Sequence, residues 1–154
     1  MKIGVKHAGY ALGFITLVYF FDVYLRERWA AHQARKLADQ AGKPLLNVGS
    51  GTAGSSLTGA KLRGDINCDL AAFDNSCGTD RVCHCDVQDL SQFGDKRFGA
   101  VLVANVLQYV PNKKLARQEL ERVADHVVTV DNWLPWMQLG PGPKFRFTAS
   151  LKRD

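Results

Sequence analysis

Two kinds of hydrophobic pattern follow one another along the chain. Residues 8–21 are uncharged, and residues 26–41 keep a helical pattern that we expect to end at Gly42, with Pro44 behind it. Beyond this point, short apolar runs alternate with turns, which is typical of strands in a sheet. The predicted strands are Leu45–Val48, Leu62–Leu70, Arg81–Asp86, Phe98–Ala104 and His126–Val130.

One amphipathic helix is predicted between the last two strands. Asn112 is its candidate N-cap, because a short polar side chain there can accept from a free backbone N–H. One face of the helix then carries Leu115, Ala116, Leu120, Val123 and Ala124. The mixture of strands and helices predicts an α/β fold, in which helices cover a parallel sheet.

The first strand runs directly into a glycine-rich turn. Gly49, Gly51 and Gly54 form a G-x-G-x-x-G pattern, and Asp69 follows one short unit later. Glycine permits positive φ and lets the backbone approach a ligand closely. A carboxylate can accept hydrogen bonds from both hydroxyls of a ribose. The combination predicts a Rossmann-like fold that binds a nucleoside-containing cofactor.

Five motifs in a fixed order carry a resemblance to a known family. They are Leu46-Asn47-Val48-Gly49-Ser50-Gly51, Asn67-Cys68-Asp69, Cys85-Asp86-Val87-Gln88-Asp89-Leu90, Phe98-Gly99-Ala100-Val101 and Asn105-Val106-Leu107-Gln108-Tyr109-Val110. Over residues 44–130 the chain thereby resembles the class I S-adenosylmethionine-dependent methyltransferases, in particular the methyltransferase type 11-like group. The resemblance implies the class I methyltransferase fold and S-adenosylmethionine as the cofactor.

The resemblance also implies a cofactor site. Gly49, Ser50 and Gly51 would surround the methionine part, and Asp69, or Asp65 in another register, would bind the ribose. Asp86 and the backbone amide of Val87 would face the adenine edge, and Asn105 would lie beside the sulfonium. Asn105, Tyr109 and His84 are expected nearest the reacting centre, but no catalytic residue is assigned.

The chain departs from the family pattern in ways that bear on catalysis. Gly99 stands where the family has an acid, and Tyr109 where it has a histidine. After the fifth strand there is room for about one further strand, at residues 144–151, so a truncated methyltransferase fold is expected. Trp133 and Trp136 are expected to cover the open core.

The N-terminal segment allows three interpretations: a signal peptide, a helix packed on the domain or a partner, and a membrane anchor. We favour the anchor, since the apolar stretch approaches the roughly 20 residues that span a bilayer, although Asp22 fits it poorly. The flanking basic residues predict a cytoplasmic globular domain. We therefore expect a transmembrane or membrane-inserted helix at 1–25, a helical stalk at 26–42 and a methyltransferase-like domain at 43–154. The membrane, or a membrane protein, is the expected partner.

Charge and cysteine content narrow the classes of function. The net charge is +5, but residues 43–154 hold fourteen basic and twelve acidic residues, which is not the pattern of a nucleic-acid-binding protein. Because the Cys-His-Cys run lacks a second pair of ligands, no metal site is expected. We favour free thiols in a reducing compartment over disulfides for Cys68, Cys77, Cys83 and Cys85.

The leading functional prediction is a membrane-anchored S-adenosylmethionine-dependent methyltransferase of unassigned substrate. The alternative is a non-catalytic methyltransferase-like subunit of a membrane-associated complex. The short chain and Gly99 favour the alternative, whereas the retained Gly49, Gly51 and Asp69 argue against it. A nicotinamide-dependent oxidoreductase would also use the glycines, but it leaves Asp86 unexplained.

Overall fold

Five short strands pair in parallel into one sheet in the computed structural model, which describes residues 5–52 and 61–131. The strands are β1 (Leu45–Val48), β2 (Ile66–Asp69), β3 (Val82–His84), β4 (Phe98–Ala104) and β5 (Ala124–Val130). The other described elements are α1 (Val5–Ala41), α2 (Lys113–Val123) and a one-turn 3₁₀ helix at Leu107–Tyr109. The strand order is β3-β2-β1-β4-β5, and the predicted Rossmann-like parallel sheet is confirmed.

Some predicted features differ from the structure or lie beyond it. β2 begins at Ile66 and not at Leu62, because the chain at Gly64 turns tightly against β1. A Cβ at Gly64 would lie 2.9 Å from the backbone nitrogen of Asn47. Outside the described residues lie Gly54, most of the first crossover segment, Trp133, Trp136 and the strand expected at 144–151.

The helix α2 forms where its cap and apolar face predict it. The side chain of Asn112 accepts a hydrogen bond from the Leu115 backbone N–H at 3.1 Å, which confirms the predicted N-cap. Ala116, Leu120 and Val123 are buried against the sheet. Two other residues expected on this face do not belong to it: the Leu115 side chain is exposed, and Ala124 lies in β5, which begins two residues before the predicted His126.

Both faces of the sheet are covered, which is why its central strands are apolar at nearly every position. Alternate residues of a strand point to opposite faces. The face covered by α2 gathers Leu46, Val48, Val101 and Val103 with Leu120 and Val123. The face covered by α1 gathers Leu45, Ala100, Leu102, Val128 and Val130 with Ala30, Ala34 and Ala38.

The C-terminal half of α1 packs very closely on β4. Ala30, Ala34 and Ala38 repeat every four residues, lie on one side of the helix and are fully buried. Gly99 lies beneath them, and a Cβ at that position would be 2.9 Å from both Ala38 Cα and Ala41 Cβ. The departure at Gly99 therefore has a physical reason, since the backbone of α1 occupies the space that a side chain would need. Residues 26–41, expected as a stalk, supply one covering layer of the sheet.

Replacing Gly99 by alanine should loosen this packing. The added methyl group meets backbone atoms of α1 that cannot turn away, so we expect Gly99→Ala to lower the free energy of unfolding by about 1–3 kcal/mol. Urea denaturation followed by circular dichroism measures the change. Gly94→Ala is the matched control, because a Cβ there has no neighbour within 4 Å. Equal midpoints for the two variants would contradict the close approach of α1.

The N-terminal half of α1 carries large exposed apolar side chains, among them Phe14, Leu17 and Phe21. The uncharged run ends at Asp22, which pairs with Arg26 at 2.8 Å. The predicted membrane anchor is not supported, since none of the helices in the described ranges is both long and apolar enough to cross a bilayer.

The prediction of free thiols is wrong. The four cysteines form two disulfides, Cys68–Cys85 and Cys77–Cys83. Cys68 lies beside Cys83 in the register of β2 and β3, which brings these segments together. The paired Cα atoms are 5.6 and 4.6 Å apart, within the range that a disulfide bridges. The sequence could not show these pairs, because they depend on which strands are neighbours.

Candidate functional site

The carboxyl ends of β1, β2 and β4 meet at one edge of the sheet and enclose a cavity of about 570 Å³. The chain runs outwards from β1 to β3 and then returns to β4 on the other side of β1. Such a switch in direction leaves a crevice between the loops that follow the two central strands. Six of the seven residues predicted for the cofactor site line this cavity: Gly49, Gly51, Asp69, Asp86, Val87 and Asn105.

The glycine loop after β1 takes a backbone conformation that requires glycine. Gly49 and Gly51 both have φ of +75°. A Cβ at Gly49 would also overlap Cγ2 of Val106, in the loop after β4. The backbone amide of Gly49 donates to the carbonyl oxygen of Cys68 at 2.8 Å, which ties the loop to the end of β2.

Ser50, the seventh predicted residue, is not among the residues that line the cavity. Its side chain is buried, and its hydroxyl donates to the carbonyl oxygen of Gly51 at 3.2 Å. Its own carbonyl oxygen accepts from the Lys61 backbone amide at 2.6 Å. Ser50 therefore closes the base of the loop and does not present its side chain to a ligand.

The carboxylate of Asp69 lies at the end of β2 and is fixed by the backbone. Its Oδ2 accepts from the Gly51 amide at 2.7 Å, and its Oδ1 accepts from the Ala71 amide at 2.9 Å. Each carboxylate oxygen has a second lone pair, so both can still accept from a ligand. The glycine loop and the acid expected to bind ribose are thus joined by a direct hydrogen bond.

Asp65, the alternative candidate for binding the ribose, lies at the amino ends of the strands, opposite the cavity. Its Oδ2 accepts from Arg35 at 2.7 Å and from the Leu45 amide, where β1 begins, at 2.8 Å. The hydrogen bond from Arg35 lowers the pKa of Asp65 below its ordinary value. The carboxylate therefore joins α1 to the amino end of β1, away from the cavity.

Asp86 begins the turn that follows β3. Its Oδ1 accepts from the Gln88 amide at 2.9 Å, and its carbonyl oxygen accepts from the Asp89 amide, which makes an Asx-type turn. The Val87 side chain is buried beneath this turn, and Gln88 reaches the amide of Asn112 at 3.0 Å. The turn is thereby held against the start of α2.

The wall opposite Asp69 is formed by residues that follow β4. Asn105 has φ of +58°, and its amide donates to the carbonyl oxygen of Val130 at 2.6 Å. Its Nδ2 donates to Oε1 of Glu27 at 2.7 Å. Glu27 comes from α1 and is only 3% exposed. The sequence did not indicate it, because a single glutamate in a polar helical stretch resembles a solvated residue.

Of the two other residues expected near the reacting centre, Tyr109 lines the cavity and His84 does not. Tyr109 lines the cavity with much of its side chain exposed. His84 is not among the lining residues, and its Nδ1 lies 3.1 Å from the carbonyl oxygen of Ala72. Sequence reasoning missed several lining residues, although most adjoin ones it identified: Leu70, Cys85, Gln88, Val106, Val110 and Pro111.

A family described as a methyltransferase domain matches residues 46–126, which is just over half of the chain and contains every residue that lines the cavity. No curated protein matches the chain.

Proposed function

Because the chain belongs to the methyltransferase domain family, we propose that it binds S-adenosylmethionine in the cavity at the carboxyl edge of the sheet and transfers its methyl group. The observation that carries the proposal is the hydrogen bond from Gly51 to the Asp69 carboxylate. It joins the two parts of the chain that a nucleoside cofactor must contact together, the glycine loop and the acid after β2.

The residues around the cavity fit the chemistry of this cofactor. Asp69 offers two acceptor oxygens to a ribose diol. Asp86 and the Val87 amide offer an acceptor and a donor to the polar edge of adenine, while Leu70 and Val110 offer apolar surface to its faces. A volume of about 570 Å³ is within the range of roughly 300–1,000 Å³ for ligand sites.

The reaction asks the protein mainly to position the donor and acceptor. Bound there, S-adenosylmethionine would supply an electrophilic methyl group to a nucleophile. The chain would hold the cofactor through Asp69 and Asp86 and exclude water through the apolar walls. Asn105 and Tyr109 also line the cavity, and in this proposal they would face the methyl acceptor. Holding two reactants in line accounts for a large part of such catalysis, so a strong general base is not required.

Replacing Asp69 by alanine should strongly weaken cofactor binding. Hydrogen bonds to charged groups contribute roughly 1.5–3 kcal/mol each, so the loss of two should weaken S-adenosylmethionine by about 100-fold or more. Calorimetric titration of the cofactor into the full chain measures this. The full chain is used because α1 covers one face of the sheet. Asp39→Ala, which removes an exposed carboxylate from α1, is the control. Unchanged affinity in Asp69→Ala would place the ribose elsewhere.

The alternative proposal is a non-catalytic methyltransferase-like subunit of a membrane-associated complex. The observation in its favour is the apolar surface that α1 exposes at Phe14, Leu17 and Phe21, since monomers rarely expose large contiguous apolar patches. The same titration separates the two proposals. A folded chain of residues 1–154 that binds neither S-adenosylmethionine nor S-adenosylhomocysteine would exclude the enzyme and favour the subunit.

A further inference from the structure

We propose that Glu27 of α1 determines the charge selectivity of the cofactor site, favouring a cationic sulfonium over a neutral thioether. The inference rests on the proposed function, because it concerns the same cavity. It adds a residue from outside the matched family segment, 46–126, to the site. Glu27 acts through the charge that it places behind Asn105, and it therefore determines specificity without touching the reacting atoms.

Both carboxylate oxygens of Glu27 are bound within the protein. Oε2 accepts from Lys61 Nζ at 2.6 Å and from an Arg63 guanidinium nitrogen at 3.0 Å. Oε1 accepts from Asn105 Nδ2 at 2.7 Å. A carboxylate that is 3% exposed and contacts two cations neutralises one of their two positive charges. We call Glu27, Lys61 and Arg63 the charged cluster.

The residues of the charged cluster contact both segments that border the cavity. On one side, Glu27 holds the side chain of Asn105, which lines the cavity. On the other side, the Lys61 backbone amide donates to the carbonyl oxygen of Ser50 in the glycine loop at 2.6 Å. The Lys61 carbonyl oxygen also accepts from Asn47 Nδ2 at 2.6 Å, at the end of β1. A change in the charge of Glu27 therefore reaches the cavity through one side chain, that of Asn105.

The sign of the effect follows from simple electrostatics. With Glu27 ionised the cluster carries a net charge of +1, and without it the charge would be +2. Added positive charge opposes a sulfonium cation, and the change is made at Glu27, whose buried carboxylate is poorly screened by solvent. A neutral thioether has no net charge for this field to act on. Methyl transfer turns the first species into the second, so Glu27 helps the site to distinguish substrate from product.

The test compares two ligands that differ in one methyl group and one charge. S-adenosylmethionine and S-adenosylhomocysteine are titrated into the chain of residues 1–154 and into its Glu27→Gln variant, which keeps the shape of the side chain. We expect the variant to bind S-adenosylmethionine about 10-fold more weakly and S-adenosylhomocysteine within about 3-fold of the wild type. Asp39→Asn, an exposed carboxylate on the same helix, is the control and should leave both affinities unchanged.

A second variant tests the charge in the opposite direction. Lys61→Gln removes a positive charge from a half-exposed position, so it should shift the ratio of the two affinities in favour of S-adenosylmethionine. The double variant Glu27→Gln with Lys61→Gln restores the net charge of +1 and should restore the wild-type ratio. The single variant Lys61→Gln keeps the proposal testable if Glu27→Gln does not fold.

The outcomes separate this inference from the proposed function. Equal weakening of both ligands in Glu27→Gln would show a purely structural role and overturn the selectivity proposal alone. An unchanged ratio in Lys61→Gln would do the same. If the folded wild-type protein bound neither ligand, the proposed function would fail, and this inference would fail with it.

Discussion

Reducing the disulfide Cys68–Cys85 should lower the free energy of unfolding by about 3 kcal/mol, because it closes a loop with a sequence separation of 17. The disulfide Cys77–Cys83 has a separation of 6 and should contribute about 2 kcal/mol. Together these values are a large fraction of the 5–15 kcal/mol that stabilises a typical domain.

Reduction should also weaken the cofactor site, because Cys68–Cys85 joins the chain segments that carry its two acids. Cys68 directly precedes Asp69, and its carbonyl oxygen accepts from the Gly49 amide. Cys85 directly precedes Asp86, lines the cavity, and donates its amide to the Asp69 carbonyl oxygen at 3.2 Å. Breaking the bond lets the two acids move relative to each other, so we expect the affinity for S-adenosylmethionine to fall together with stability.

Urea denaturation with and without dithiothreitol measures the loss of stability, and titration of the cofactor under the same conditions measures the effect on the site. The variants Cys68→Ser/Cys85→Ser and Cys77→Ser/Cys83→Ser separate the two bonds. The second pair is the matched control for binding, because neither residue is among those that line the cavity. Thiol titration of the denatured, unreduced protein should find no free thiol. Four free thiols in a stable protein would contradict the observed pairing.

The features that the sequence predicts correctly are determined by residues that are close together along the chain. The strand at Phe98–Ala104 has the predicted bounds, because a fully apolar run of seven residues can be recognised from the sequence alone. The caps at Asn112 and Gly42 are equally local, since one side chain fixes where α2 begins and one positive φ fixes where α1 ends. The glycine loop also falls where the motif placed it.

What the sequence does not predict depends on which elements become neighbours in space. The disulfides need the pairing of β2 with β3, which the spacing of four cysteines does not encode. In the sequence Gly99 resembles the loss of a family acid, whereas the structure shows that α1 lies against it. In the sequence Glu27 resembles a solvated charge, whereas the structure shows its contacts with Lys61 and Asn105. The role of each of these residues is determined by contacts between segments that are far apart along the chain.

Replacing Gly49 by alanine should be among the most damaging single substitutions in the chain. At φ of +75° a Cβ costs roughly 1–2 kcal/mol. The same Cβ overlaps Cγ2 of Val106, and forcing extra atoms into a packed region costs typically 1–3 kcal/mol more. We expect a loss of about 3 kcal/mol in the free energy of unfolding. Cofactor binding should also be lost, because the loop must move away from Asp69.

The two parts of this effect can be separated by experiment. Gly42→Ala meets the same left-handed backbone, with φ of +62°, but no neighbour within 4 Å, so it should cost only the conformational part of about 1–2 kcal/mol. Adding Val106→Ala to Gly49→Ala removes the overlapping methyl group and should recover the steric part, but not the conformational part. Urea denaturation of the wild type, Gly49→Ala, Val106→Ala and the double variant forms the required cycle, and Gly42→Ala is measured beside it. If Val106→Ala gave no recovery, the glycine loop and the loop after β4 would not be in contact, and the cavity between them would not have the shape described.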